Sequence, residues 1–389
     1  MDFGFTEQEN EFIKNVRAFI RQESTPELLE ETRELGGIYG GIEGRRFIKK
    51  FAARGWLTPN WPKVYGGLDS SAMAAFMIRD ELAYSELPHV FVGAQMAGPI
   101  ILRHGSEKIK KEFLLPIAKG EVEFALGYTE PNAGSDLASL DIRAEDKGDF
   151  FLINGQKTFN THSHVADYHW LAARTDIDVP KKHQGISILI VDFKSQGITI
   201  SPLITMAGTR TNEVFYDDVV VPKTNLVGEK NMGFPYLMEA LDFERMFPFR
   251  VYVKVFEEVV KYARETVVHG RPLSKNPLIR QKIAQMAIEI EIAKLLYYRV
   301  AFLLDKGEIA NYQSSMEKIF ATELAQRITN AEMEILGLYG QLKKGSEEAP
   351  LDGKVEHDYR CSVIETIYAG TSEILRNMIA ERGLHLPRK

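Results

Sequence analysis

Apolar residues recur three and four positions apart through E-N-E-F-I-K-N-V-R-A-F-I, A-A-F-M-I-R-D-E-L-A-Y and I-K-K-E-F-L-L-P-I-A, which predicts a helical domain over residues 1–120. Loops rich in Gly and Pro, such as G-W-L-T-P-N-W-P-K-V-Y-G-G, separate these stretches. Over residues 121–235 the texture changes to short β-branched and aromatic runs, Y-H-W-L-A-A-R, I-S-I-L-I-V-D-F, I-T-I-S-P-L and V-F-Y-D-D-V-V-V-P, which predict a compact β-domain. Over residues 236–389 the helical period returns, notably in I-R-Q-K-I-A-Q-M-A-I-E-I-E-I-A-K-L-L-Y-Y-R-V-A-F and M-E-K-I-F-A-T-E-L-A-Q-R-I-T-N-A-E-M-E-I-L, the pattern of a helical bundle. Helices, then strands, then helices make the fold class α+β and disfavour a Rossmann sheet. Residues 341–360 read as a polar connector.

The 389 residues are 44% hydrophobic, enough for two or three packed cores. A net charge of -6 carries no basic field for nucleic acid. No run approaches the roughly eighteen apolar residues of a membrane span, and the acidic M-D-F-G-F-T-E-Q-E-N start is unlike a signal peptide. The expected setting is the cytoplasm. The single cysteine, Cys361, excludes an intrachain disulfide and reads as a small buried hydrophobe.

Some patterns imitate sites. G-G-I-Y-G-G-I-E-G at 36–44 lacks the G-x-G-x-x-G spacing and reads as a flexible surface loop. His162 and His164 have no clustered third ligand, so no metal is expected. E-E-T-R-E at 30–34 reads as a solvated helix face.

Five distant segments make up the pattern. L-G-Y-T-E-P-N-A-G-S-D, residues 126–136, is a strand running into a Pro/Asn/Gly turn that exposes N–H groups and the hydroxyls of Thr129 and Ser135, a description many strand ends share. I-N-G-Q-K-T-F-N-T, residues 153–161, contains an N-G pair that signals a hairpin between strands. M-A-G-T-R-T-N-E-V-F-Y-D-D-V-V-V-P-K-T-N-L-V-G-E-K-N-M-G-F, residues 206–234, reads as a last strand and the turn into helices. E-I-L-G-L-Y-G at 334–340 and I-Y-A-G-T-S-E-I-L-R near the C-terminus complete the set.

Together these resemble the acyl-CoA dehydrogenase flavoproteins over nearly the whole chain. The resemblance implies FAD as cofactor, with Leu126, Tyr128, Thr129, Gly134 and Ser135 at the flavin, and Ser135 also facing the CoA pantetheine. It implies that Phe159 lies against the isoalloxazine, where tryptophan is common, with Thr161 near N5. Glu334 and Gly337 correspond to the turn that receives the ADP part of FAD from a neighbouring subunit, and Thr371 and Glu373 also contact the cofactor. Thr266 stands where the family carries an arginine, so Arg271, or Arg264 one turn away, is expected to serve the pyrophosphate. H-S-H-V-A-D after Thr161 departs from the usual small residues.

The family's Y-E-G-T signature reads Y-A-G-T here, so Ala369 replaces the usual α-proton base. By the resemblance, the Ala369 N–H still polarises the thioester carbonyl, with Gly370 beside it. Isovaleryl-CoA and long-chain branches instead place the base in L-D-L-E-R, and this chain reads L-D-F-E-R, which makes Glu244 the expected base. On a helix, Glu244 would share a face with Ala240, Leu241, Phe247 and Pro248, an apolar surround that raises a carboxyl pKa. Pro248 predicts a kink beside it. Asp242 and Arg245, on another face, would meet the CoA chain.

The expected activity is FAD-dependent α,β-dehydrogenation of an acyl-CoA thioester with a branched, cyclic or otherwise bulky acyl group, including dicarboxylic or steroid-derived ones. Electron-transferring flavoprotein is the expected acceptor and a homotetramer or dimer the expected assembly. The alternatives are a catalytically silent or half-site subunit of a heteromer, and an acyl-CoA oxidase.

Overall fold

The computed structural model describes residues 5–308 and 310–387, and the side chains of Phe243 and Glu244 lie outside that description. Helices come first: α1 (Glu7–Glu23), α2 (Pro26–Glu34), α3 (Ile42–Ala52), α4 (Ala72–Tyr84), α5 (Gly98–His104), α6 (Glu107–Ile109) and α7 (Leu115–Ala118). Seven strands follow: β1 (Phe124–Gly127), β2 (Arg143–Asp146), β3 (Phe150–Lys157), β4 (Tyr168–Arg174), β5 (Ile186–Asp192), β6 (Ile198–Ile204) and β7 (Arg210–Pro222). The chain then returns to helix with α8 (Gly233–Glu244) and α9 (Arg250–Glu265), a short hairpin of β8 (Val267–Val268) and β9 (Arg271–Pro272), and α10 (Pro277–Asp305), α11 (Asn311–Leu336), α12 (Lys354–Glu365) and α13 (Ser372–Met378). The fold is α+β, as the change of period predicts.

The chain packs as two units that cut across this order. One comprises Ala18–Ala75 and Leu87–Glu244, the other Met1–Arg17, Phe76–Glu86 and Arg245–Lys389. In the first, the strands form one sheet in the order β1-β4-β2-β3-β7-β6, with β5 also paired to β4. β1 runs parallel to β4, while β3, β7 and β6 are antiparallel neighbours. Six of the seven β5 residues are buried, which explains why that strand reads as a continuous apolar run.

In the second unit, α10 buries Ile279, Met286, Ile290, Ala293, Tyr297 and Val300, spaced by sevens, fours and threes as a helical stripe requires. Tyr252, Val255 and Val259 of α9 and Leu324 and Ile328 of α11 close the same core. Asn276 caps α10 by accepting the Leu278 N–H at 2.9 Å, and Pro277 follows where a missing N–H costs nothing.

Five expectations change. Asn154-Gly155 is not a hairpin: β3 continues through it, with a bulge between Ile153 and Gly155 and φ of 133° at the glycine. The Asn154 side chain instead pairs with Asp218 on β7, and the true turn lies at Gly148, whose N–H donates to Asp146. The glycine run at 36–44 is not a surface loop, because Ile38 and Tyr39 are buried and Ile38 bridges to Val90. Residues 341–360 are only partly connector, since α12 begins at Lys354 and buries Val355. Pro248 lies in a complete break, with α8 ending at Glu244 and α9 starting at Arg250, so Phe247, Pro248 and Arg245 share no helical face with residues 240–242. Cys361 is half-buried, with its sulfur 3.6 Å from His357 Nε2.

Candidate active site

The first predicted segment is assembled by a buried ion pair. Lys157, at the end of β3, is fully buried, and its Nζ donates to the Tyr128 carbonyl and to Glu130 Oε1, each at 2.8 Å. Glu130 also accepts the N–H groups of Asp141 at 2.6 Å and Ile142 at 3.0 Å. The Glu130 N–H and carbonyl close a tight turn with Ala133, and the Thr158 N–H donates to the Thr129 carbonyl at 2.9 Å. Segments 126–136 and 153–161 are thereby locked side by side. Burial pulls the Lys157 ammonium down to about 8, with the attraction of Glu130 opposing that shift.

Behind β1, His169 packs so close that a Cβ on Gly127 would stand 2.5 Å from its ring. Burial holds this imidazole neutral, near 3, and its Nδ1 meets the Tyr216 hydroxyl. Position 127 therefore admits only glycine while His169 keeps its place.

Phe159 follows the locked pair with a left-handed φ of 55° and 62% exposure, which is unusual for a phenylalanine in a folded chain. The Asn160 N–H donates to the Asn212 carbonyl at 2.9 Å, and Thr161 Oγ1 lies 3.1 Å from Thr211 Oγ1. Ser135 and Gly134 are exposed, and the space around Gly134 is open. His162 is buried against the Leu35 carbonyl and held down to about 4, mainly by burial, while His164 Nδ1 lies 3.2 Å from the Asn212 amide. A flat fused ring requires an exposed aromatic face on fixed backbone with hydroxyls at its rim, and Phe159, Thr129 and Thr161 fit FAD in that respect.

The second unit builds around α11. Lys318 is fully buried, and its Nζ donates to the carbonyls of Glu365 at 2.8 Å and Gly370 at 3.0 Å. These carbonyls flank Tyr368 and Ala369, and Ala369 holds a left-handed φ of 53° before Gly370 at 92°. Thr371 caps α13 by accepting the Ile374 N–H at 3.2 Å. The Tyr368 ring lies 5.7 Å from that of Phe247, in the break after α8.

A cleft of about 400 Å³ opens between α11 and the start of α13, lined by Gln326, Arg327, Asn330, Thr366, Ser372 and Glu373. Glu373 is fully exposed, and hydrogen bonding from its own backbone N–H and from Thr371 holds its carboxyl low. Ser372 is buried, with no partner for its Oγ among the described residues. Glu334 pairs with Lys282 at the end of α11, followed by Gly337 with φ of 61° and open space beside it. Arg271 is exposed on β9, away from that cleft's lining. Asp242 lies half-buried on α8, and Arg245 is buried in the turn after it. Glu244 ends α8, and its side chain lies outside the described residues.

Three family descriptions match consecutive stretches of the chain: acyl-CoA dehydrogenase, N-terminal domain over residues 6–121, middle domain over 125–219, and C-terminal domain over 231–384. The chain belongs to the acyl-CoA dehydrogenase family. It is thus an oxidoreductase of a FAD-dependent flavoprotein family. Among relatives, it is 35% identical to the acyl-CoA dehydrogenase FadE26 of Mycobacterium tuberculosis, over 100% of this chain and 99% of that protein. Its structure resembles the Tcur3481-Tcur3483 steroid ACAD with a TM-score of 0.92 and 34% identity, covering 100% of both chains. It also resembles a chain of the ChsE4-ChsE5 complex from Mycobacterium tuberculosis with a TM-score of 0.91 and 35% identity, again over 100% of both.

In this acyl-CoA dehydrogenase, the quoted motifs do not single out the buried groups that hold their segments together. Lys157 and Glu130 lie inside the quoted motifs yet are 27 positions apart, so no local pattern pairs them. Glu317 and Lys318 sit in an ordinary helical stretch, and Arg327 lines the cleft at a polar helix position.

Proposed function

We propose that the protein catalyses α,β-dehydrogenation of a bulky acyl-CoA thioester, with Glu244 taking the α-proton. When bound, FAD supplies the acceptor for the β-hydride at its N5. The observation that carries this reading is the Ala369 turn, which keeps its left-handed backbone and its Lys318 clamp while presenting a methyl group where an acid would stand. The turn retains an N–H at Ala369 to polarise a thioester carbonyl, so the electrophilic half of the chemistry does not depend on the missing acid. A carboxylate one residue before the Arg245 turn then supplies the basic half. Ser135, Asp242 and Arg245 contact the CoA chain, and Phe159, Thr129 and Thr161 hold the flavin. The cleft beside Thr371 and Glu373 suits the polar ADP portion, and there Arg327, more than Arg271 or Arg264, provides the positive charge.

Ala369 leaves room at the substrate α-carbon, which favours branched or ring-bearing acyl groups. Similarity to a steroid ACAD supports the polycyclic end of that range. Anaerobic titration of the purified flavoprotein with straight, branched, cyclic and steroid-side-chain CoA thioesters tests the reading. Selective bleaching by ring-bearing thioesters supports it, and bleaching by straight chains alone refutes the bulky-substrate part.

The chain assembles as a homotetramer that passes electrons to electron-transferring flavoprotein. Exposed Leu278, Ile288, Ile292, Leu295 and Phe302 on α10 give it an apolar face to bury. A second reading, a subunit of a heteromer, draws support from its similarity to chains of two-component assemblies. Yellow flavin in the separately purified chain favours the homomer, and flavin only on co-expression with a second subunit favours the heteromer.

A further inference from the structure

Between the end of α8 and the start of α9, residues 245–249 follow no regular hydrogen-bond ladder, and Pro248 contributes no N–H. The Phe247 N–H in this break points at one side chain, the carboxyl of Glu317 on α11, with its two oxygens at 3.3 and 3.4 Å. Glu317 is 1% exposed and makes no ion pair among the described residues. A buried acid with neither solvent nor a paired cation is costly, and in a helix it is retained where its acceptor does something an apolar side chain cannot.

Its position on α11 shows what that is. The next residue, Lys318, clamps the carbonyls on either side of Tyr368 and Ala369, and Phe247 packs its ring against Tyr368. Two consecutive side chains of one rigid helix therefore hold the break that follows Glu244 and the turn that carries Ala369. We propose that Glu317 is a positioning residue, which fixes the Phe247 peptide and thereby the end of α8 from which Glu244 acts. This inference rests on the assignment of Glu244 as base.

Burial pushes the Glu317 carboxyl well above the usual range, with the Phe247 N–H opposing first, then Arg79 from α4; Asp80 on α4 adds to the rise and Lys318 opposes it. Charged or protonated, one oxygen remains to accept the Phe247 N–H, so glutamine serves the same purpose and alanine does not.

The test compares Glu317→Ala and Glu317→Gln in the full-length flavoprotein. Amide hydrogen exchange across 245–249 is read first, followed by flavin bleaching with the thioester that reduces the wild-type flavin fastest. In the alanine variant the segment is expected to exchange about tenfold faster, and kcat to fall about 10- to 100-fold, as a misplaced base would cause, with KM and flavin content near wild type. The glutamine variant is expected to keep both protection and kcat. Unchanged exchange in Glu317→Ala overturns the proposal, as does a glutamine variant as impaired as alanine, which would make the acid itself the acting group. If the alanine variant does not fold, Glu317→Asn, which carries the acceptor one methylene short, takes its place with the same expectations. Should Glu244→Gln retain full bleaching, the base assignment fails, while the exchange result still reports whether Glu317 holds the break.

Discussion

Lys157 and Glu130 form an ion pair at 2.8 Å in which the lysine is fully buried and the glutamate 8% exposed. Their backbones carry Thr129 on one side and Thr158 and Phe159 on the other, so the pair ties the two segments proposed to hold the flavin into one surface. Isolated buried charges are unfavourable, and removing either partner strands the other.

Lys157→Met is therefore expected to lower stability by roughly 3–5 kcal/mol and to weaken FAD retention. Urea denaturation of wild type and variant, with flavin release followed by fluorescence, measures both. A loss below about 1 kcal/mol, as for an exposed pair, would contradict this account.

Gly127→Ala places a methyl group within 2.5 Å of the His169 ring, beneath the strand that leads to Tyr128 and Thr129. Overpacking of this kind costs typically about 1–3 kcal/mol. The variant should unfold at a lower temperature and release flavin earlier on heating. His169→Ala should partly restore the double variant, because it removes the obstructing ring.

His162 is neutral in the fold because burial pulls its imidazole down to about 4 from the ordinary 6.5. A lowered folded-state value means that the unfolded chain binds the proton first, so this stability is complete above pH 6.5 and is lost as the pH falls towards 4. The window is worth about 3 kcal/mol at about 1.4 kcal/mol per pH unit. His162→Asn, which tolerates the left-handed backbone at this position, should flatten the acid limb of a stability curve measured by denaturant titration at successive pH values. A limb as steep as wild type would show that other groups set it.

The apolar stripe on α10 is exposed in the isolated chain. Under the proposed homotetramer, Leu295→Glu, which puts a charge in its middle, should shift the protein to smaller species in light scattering coupled to size exclusion. An unchanged mass would move the assembly surface elsewhere.

The long helices were legible because one buried stripe dictates their composition: in α10, Ile279, Met286, Ile290 and Tyr297 repeat at a spacing that only a helix satisfies. Short signals were less reliable. Asn154-Gly155 has the composition of a tight turn, but its partners Asp218 and Tyr216 lie more than sixty positions away and draw it into a bulged strand. The glycines at 36–44 serve close packing, since a Cβ on Gly41 would meet the Glu31 carboxyl and one on Gly40 the Val165 side chain. Pro248 was legible as an interruption, but its extent was not, because the Phe247 N–H freed by the break is received by a tertiary partner, Glu317. In M-E-K-I-F nothing local separates this buried acid from a solvated one. The buried groups that hold these segments, Lys157, Glu130, Glu317 and Lys318, are distributed along the chain, where no local pattern marks them.

Anaerobic flavin bleaching in the Glu244→Gln variant reports whether the base missing at Ala369 has moved to Glu244. The variant should bind FAD and CoA thioesters as wild type does and bleach at least about 100-fold more slowly. Adding Ala369→Glu to that variant should restore part of the rate. Bleaching at the wild-type rate in Glu244→Gln would show that another group takes the proton.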